Sequence, residues 1–131
     1  MIVRNFSDLV GTDRDVRGKG FQSLRAVLDR DGVEFSMHQT RVKKGGPYHW
    51  HYKHHKEACC CLSGHGVITS MDTGESHCIG QGDIYILNDN DDHEFEALTE
   101  VVLISVFSPA LTGQEKHQPD GSYELVRELF T

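Results

Sequence analysis

No run in this chain approaches the roughly 18 consecutive apolar residues of a membrane-spanning helix. The opening Met1 to Val10 also lacks an apolar core behind a basic start. Neither a membrane span nor a secretory leader is expected, and the chain is assigned to the cytoplasm. Basic residues are in short supply, with 13 Lys and Arg against 20 Asp and Glu and a formal net charge of -7. That balance argues against a phosphate-neutralising surface, so neither nucleic acid nor an anionic membrane is an expected partner. Low-complexity stretches and internal repeats are missing, and 131 residues with 37% hydrophobic and 25% charged composition are read as one domain spanning 1-131. The four cysteines, Cys59, Cys60, Cys61 and Cys78, cannot make a tetrahedral zinc site from the consecutive trio, because successive residues on a strand point in opposite directions. They are read as reduced thiols, with Glu57 to Leu62 forming a strand whose small apolar positions fill the interior.

Helical periodicity is scarce too. Only Tyr123 to Phe130, with Leu125, Val126, Leu129 and Phe130 at helical spacing, predicts a short terminal helix. Short strand-like runs recur instead: Gln22 to Asp29, Glu34 to Val42, Ala58 to Leu62, His65 to Met71, Glu75 to Ile79, Ile84 to Leu87, His93 to Ala97 and Val101 to Pro109. Turn signals separate them at Asp31-Gly32, Gly45-Gly46-Pro47, Ser63-Gly64, Asp72-Thr73-Gly74, Gly80-Gln81-Gly82 and Asn88 to Asp91. Many short strands with turns between them indicate an all-β sandwich or barrel rather than parallel β-α-β units.

The most informative stretch runs from Gly45 to His93. It places His49, His51, His54, His55, Glu57, Tyr85 and His93 around two glycine-punctuated hairpins. These are metal-ligand residue types, and a small antiparallel barrel can turn such side chains inward from different strands. A metal-dependent barrel is the expectation.

Two segments match the double motif of the cupins. His49-Trp50-His51 leads to Glu57 and Gly64, and Gly82 leads to His93. Asn88 stands where a proline is usual, and the interval from His51 to Glu57 is slightly long. The resemblance then narrows, because nearly the whole chain is similar to the ectoine synthases, small cupins that close a ring in compatible-solute synthesis under osmotic stress. The matching stretches include Met1-Ile2-Val3-Arg4, Gly11 to Val16, Asp31 to Ser36, His51 to Ala58 and Gly82 to Tyr85. Most specific is Val106 to His117, with its Thr112-Gly113-Gln114-Glu115-Lys116-His117 tail, followed by Asp120 to Tyr123. The implied fold is all-β, a small cupin barrel (double-stranded β-helix or jelly-roll) with a short terminal helix.

The resemblance implies a hydro-lyase reaction. In N-γ-acetyl-L-2,4-diaminobutyrate the free α-amine attacks the acetamide carbonyl, and water leaves to give the cyclic amidine. An amide carbonyl is a poor electrophile, so a Lewis acid is called for. The amine must be neutral and the departing hydroxyl protonated, which calls for acid-base groups. The family's metal positions are occupied here by Glu57, Tyr85 and His93, and the implied ion is Fe(II), although zinc and manganese accept the same ligands. Arg25 falls on the family's carboxylate anchor, and Thr40, Tyr52, His55, Phe107, Glu115 and His117 fall on positions that line or approach the substrate cavity. Glu115 and His117, two residues apart, form the implied proton-transfer pair, with Tyr52 and His55 as further catalytic candidates. A head-to-tail homodimer is also implied.

Three positions near the implied substrate depart from the family. Phe21 stands where tryptophan is usual, His38 where asparagine is common, and Ser105 where cysteine is common. These departures leave a second reading, a diverged cupin acting on a related N-acetylated diamino acid, and a third, a cupin that binds a small molecule without turnover. His49, His51 and His54 also stay open. A generic cupin would make the first two metal ligands, whereas the ectoine synthase pattern leaves all three in a loop ahead of Glu57.

Overall fold

The computed structural model describes residues 1–113. The expected terminal helix over Tyr123 to Phe130, and Glu115 and His117, lie outside the described residues. Among the described residues, ten antiparallel strands make two sheets. In chain order they are β1 (Asp15–Gly18), β2 (Phe21–Val27), β3 (Ser36–Val42), β4 (Gly45–His51), β5 (Lys56–Ser63), β6 (Gly66–Ser70), β7 (Ser76–Ile79), β8 (Ile84–Leu87), β9 (Asp92–Ala97) and β10 (Val101–Ser108). One sheet runs β1-β2-β3-β10-β5-β8 and the other β4-β9-β6-β7.

All eight expected strands form. Glycines supply the left-handed turn positions at Gly32, Gly64, Gly74 and Gly82, with φ between 76° and 88°. At Gly64 a side chain would also strike the Glu100 carbonyl oxygen, 2.1 Å from where its Cβ would stand. Two strands were not expected from the sequence. β1 is a short edge partner of β2. β4 contradicts both the turn read at Gly45-Gly46-Pro47 and the loop read for His49 and His51. The glycine pair does not end the strand, because the ladder with β9 absorbs it as an irregularity between Gly45 and Tyr48 and then resumes through Trp50 opposite His93.

Alternation on β5 is clear: Glu57, Cys59 and Cys61 are buried, while Ala58 and Cys60 on the other face are half-buried. The middle cysteine therefore does not fill the interior. β10, whose inward face carries Leu103, Ser105 and Phe107, is paired along both edges, to β3 and to β5. Phe95 from the second sheet is fully buried and packs in one cluster with Val42, Leu87, Leu103 and Phe107 from the first. Gly66 belongs to that packing, since a Cβ there would lie 2.6 Å from the Phe95 ring.

The N-terminal segment is fastened to the end of β2 by one carboxylate. Asp31 accepts from Arg4 Nη2 at 2.8 Å, from Arg14 Nη1 and Nη2 at 3.0 and 3.1 Å, and from the Leu28 amide at 2.9 Å. Arg4 Nη1 and Arg14 Nη1 also donate to the Ala26 carbonyl, at 2.9 and 3.4 Å. Burial pushes the Asp31 carboxyl up, but these hydrogen bonds outweigh it and hold the group well below the usual carboxylate range.

Asp31→Asn should cost about 2 kcal/mol of stability in urea denaturation at pH 7, the scale of hydrogen bonds to a charged group. Because the folded-state pKa is depressed, the carboxylate contribution is present above the unfolded value of about 3.9 and is lost as pH falls below it. The gap between the two proteins should therefore close in acid. A gap independent of pH would show that the charge is not what matters.

Candidate functional site

Strand register assembles the site. Across the six-stranded sheet, Arg25 stands opposite His38, His38 opposite Ser105, Ser105 opposite Cys59, and Cys59 opposite Tyr85. One pleat step away on the same face runs Ser23, Thr40, Leu103 and Cys61. The step on the other side runs Ser36, Phe107, Glu57 and Leu87. Residues two apart on a strand share a face, so these rows form one continuous inner wall. The facing sheet adds Trp50 and His93, directly opposite each other on β4 and β9.

A narrow cavity lies against this wall. Of the expected site residues it is lined by Phe21, His38, Thr40, Tyr52, Glu57, Tyr85, Ser105 and Phe107, joined by Ser23, Trp50 and Leu103. Arg25, His55 and His93 are buried beside it without lining it. His55 meets the Phe107 ring edge-on at 6.2 Å. His93 borders a neighbouring cavity with Tyr85, Leu87 and Asp91, so Tyr85 is common to both spaces. Ser23 was not anticipated, although it lies two residues before Arg25 on the same strand face. The 52–55 segment is held by Asn90, a non-glycine residue at positive φ of 54°, whose Nδ2 donates to the carbonyls of Tyr52 and His55 at 3.0 Å each.

The buried polar groups divide into two ends. At one, Glu57 and Tyr85 share a hydrogen-bonded cluster with Cys59 and Ser105, whose Sγ and Oγ are 3.4 Å apart. Burial raises the Glu57 carboxyl to about 7, against the opposing effect of hydrogen bonds from Cys59 and Ser105. Burial also pushes the Tyr85 phenol and the Cys59 thiol up, each further raised by its charged neighbours. At the other end Ser23 Oγ lies 3.2 Å from His38 Nδ1. Burial, with the Arg25 guanidinium adding to it, holds the His38 imidazole well below its ordinary range and therefore neutral.

His93 has the hydrogen bonding of a candidate ligand. Its Nδ1 donates to the Asp91 carbonyl at 3.0 Å, which leaves Nε2 with its lone pair, and that atom is buried with no hydrogen-bond partner among the described residues. A cation beside Glu57 would reverse the penalty of ionising that buried carboxyl. Glu57, Tyr85 and His93 therefore fit a hard, divalent metal with an oxygen-rich shell. Among the described residues no group of three or more His, Cys, Asp or Glu comes together as a metal cage. The generic shell of His49, His51, Glu57 and His93 is thus not assembled, and alternation on β4 explains why. Trp50 faces His93 on the inner side, so His49 and His51 share the opposite side, where both approach Asp92.

Comparison with known proteins shows the family and the fold. Residues 1–127 match the family model for ectoine synthase. The L-ectoine synthase of Desulfosudis oleivorans is 45% identical over 98% of this chain and 100% of its own length. That of Nocardia farcinica is 41% identical, covering 96% of both. A crystal structure of ectoine synthase from P. lautus superposes with a TM-score of 0.87 and 35% identity, covering 95% of this chain and 91% of that one. An RmlC-like cupin from Shewanella frigidimarina, at 21% identity and a TM-score of 0.61 over 73% of this chain and 82% of its own, shares the fold. The all-β barrel is a cupin barrel. No helix among the described residues is long and apolar enough to cross a membrane.

Because the folded-state pKa of Glu57 is raised from 4.5 to about 7, its contribution to stability is present below the unfolded value and is lost as pH rises through 7. Metal-free protein should lose roughly 3 kcal/mol of urea stability between pH 5 and 9 through this one group. Glu57→Gln should lack that slope, and an unchanged slope in the variant would place the titration elsewhere.

Proposed function

The chain belongs to the ectoine synthase family, and from that premise we propose how its residues divide the closure of N-γ-acetyl-L-2,4-diaminobutyrate to ectoine. The observation that carries the proposal is the inner wall itself, where a buried carboxyl and phenol stand at one end of a cavity and a buried guanidinium beside the other. Arg25 holds the substrate carboxylate, the geometry a guanidinium fork matches best, with His38 and Thr40 alongside. Phe21, Trp50, Tyr52 and Phe107 exclude water and press the substrate into the folded conformer that brings amine and acetamide together. Ser105, hydrogen-bonded toward Glu57 and Cys59, borders the reacting end.

Glu57, Tyr85 and His93 hold the metal, Fe(II) in first place with zinc or manganese as alternatives, which when bound polarises the acetamide oxygen. The α-amine forms the new C–N bond to the acetamide carbon. The C–O bond then breaks, and the oxygen leaves as water with two protons taken from the two nitrogens as the C=N bond forms. Tyr52, His55, Glu115 and His117 are assigned to those transfers. Water-excluding walls favour this condensation over hydrolysis of the amide.

We also propose a homodimer. β8 is the edge of the six-stranded sheet, and its outward residues Ile84 and Ile86 are 66% and 62% exposed. An apolar edge strand of this kind is normally covered, and a second copy of the chain is the simplest cover. The double substitution Ile84→Lys with Ile86→Lys should shift the sedimentation coefficient at micromolar concentration to that of a monomer. A dimer that survives would move the interface elsewhere.

Anaerobic incubation of Fe(II)-loaded protein with N-γ-acetyl-L-2,4-diaminobutyrate, followed by proton NMR, should show substrate loss and ectoine formation. Glu57→Ala should lower the rate by at least about a hundredfold, the scale of losing a metal ligand. Substrate binding without ectoine at any metal loading would overturn the assignment.

A further inference from the structure

Ser23 and His38 form a buried couple, and the reaction outlined above gives Ser23 no role. Their exposures are 2% and 1%, both line the cavity, and they face each other diagonally between β2 and β3. The imidazole is restrained on three sides. Ser23 Oγ lies 3.2 Å from Nδ1. The Phe107 ring lies 5.3 Å away at an interplanar angle of 34°. Arg25 is the cross-strand neighbour. Its remaining polar atom, Nε2, is buried and has no hydrogen-bond partner among the described residues.

A neutral imidazole carries one ring proton, and the group on Nδ1 decides where it sits. Serine can donate or accept by rotating its hydroxyl. If it donates to Nδ1, then Nε2 bears the proton and becomes a donor. If it accepts, Nε2 presents a lone pair. The proposed function seats the substrate carboxylate at Arg25, beside the ring, and a carboxylate is an acceptor only. A bare Nε2 lone pair turned toward a carboxylate would repel it, whereas Nε2–H adds a second donor to the guanidinium.

We propose that Ser23 is a positioning residue, whose hydroxyl donates to His38 Nδ1 and so holds the tautomer in which Nε2–H binds the substrate carboxylate next to Arg25. The proposal rests on the family reaction for the identity of the substrate, but not for the tautomer. It acts on binding rather than on bond making, because the carboxylate does not change charge during ring closure.

Steady-state kinetics of Fe(II)-loaded protein would test it. Ser23→Ala should raise KM about tenfold, the loss of one hydrogen bond's worth of orientation, with kcat within roughly twofold. Ser23→Thr, which keeps the hydroxyl, should restore KM. In a His38→Asn background the same Ser23→Ala change should have no further effect, since its only route of action is gone. Long-range nitrogen-proton NMR of zinc-loaded, histidine-labelled protein gives a readout without turnover, and should show Nε2–H at His38 in the unmutated chain and a mixture in Ser23→Ala. That pattern would support the positioning role even if the unmutated protein formed no ectoine. An Nδ1–H tautomer, or equal KM changes with and without His38, would overturn it.

Discussion

Everything in the barrel depends on the register of β10. It is paired on both sides, to β3 through His38 and Thr40 and to β5 through Glu57 and Cys59. Strand side chains alternate with a period of two, so a slip of one residue would turn Leu103, Ser105 and Phe107 outward together. Such a slip would empty the core, where Leu103 and Phe107 are each 2% exposed, and would dismantle the site, which all three line. Core and site are thus one periodic pattern. The apolar members of the inner wall enforce the register, and the polar members inherit their positions from it.

This shared origin explains which parts were readable from residues alone. The strands from Gln22 onward carried β-branched and aromatic runs between turn residues, and the structure follows them closely because local propensity and tertiary pairing agree there. β4 was not readable. Its glycine pair and proline signal a turn, and only pairing with β9 overrides that signal by absorbing the glycines as an irregularity. The same override sets the strand's phase. His49 and His51 look like ligands by type and spacing, but spacing of two says only that they share a face, not which face. Trp50 opposite His93 decides that, and it is a fact of tertiary register. Ser23 is not legible for the related reason that a lone serine has no periodic signature, although the alternation does place it on the face of Arg25. The family resemblance carried Glu115 and His117, which lie outside the described residues.

Two long-range devices hold the ends of the wall in place. Asp31 gathers Arg4 and Arg14 and, through them, the carbonyl of Ala26, so the strand bearing Ser23 and Arg25 is pinned immediately after those residues. Asn90 ties the turn before β9 to the segment before β5, which sets the Tyr52 ring against His93, centroids 6.0 Å apart. The first combines ion pairs with side-chain to backbone bonds and the second is side chain to backbone; both join segments far apart in sequence, and such bonds resist the local opening to which loops are otherwise prone.

The interior wall is costly in the absence of ligands. Arg25, Glu57, His38 and His93 are each buried, and low dielectric penalises every charge among them unless it is compensated. His38 and His93 meet this by staying neutral, and Glu57 meets it by holding its proton up to about 7. Arg25 cannot deprotonate. On the proposed division of the site, a cation at Glu57 would relieve a penalty already built into the fold, so metal binding and folding free energy are coupled at that end of the cavity. Under the proposed function, a substrate with a carboxylate at one end and a polarisable carbonyl at the other would reach Arg25 and the metal at once, and the separation between those two groups would then matter as much as either group alone.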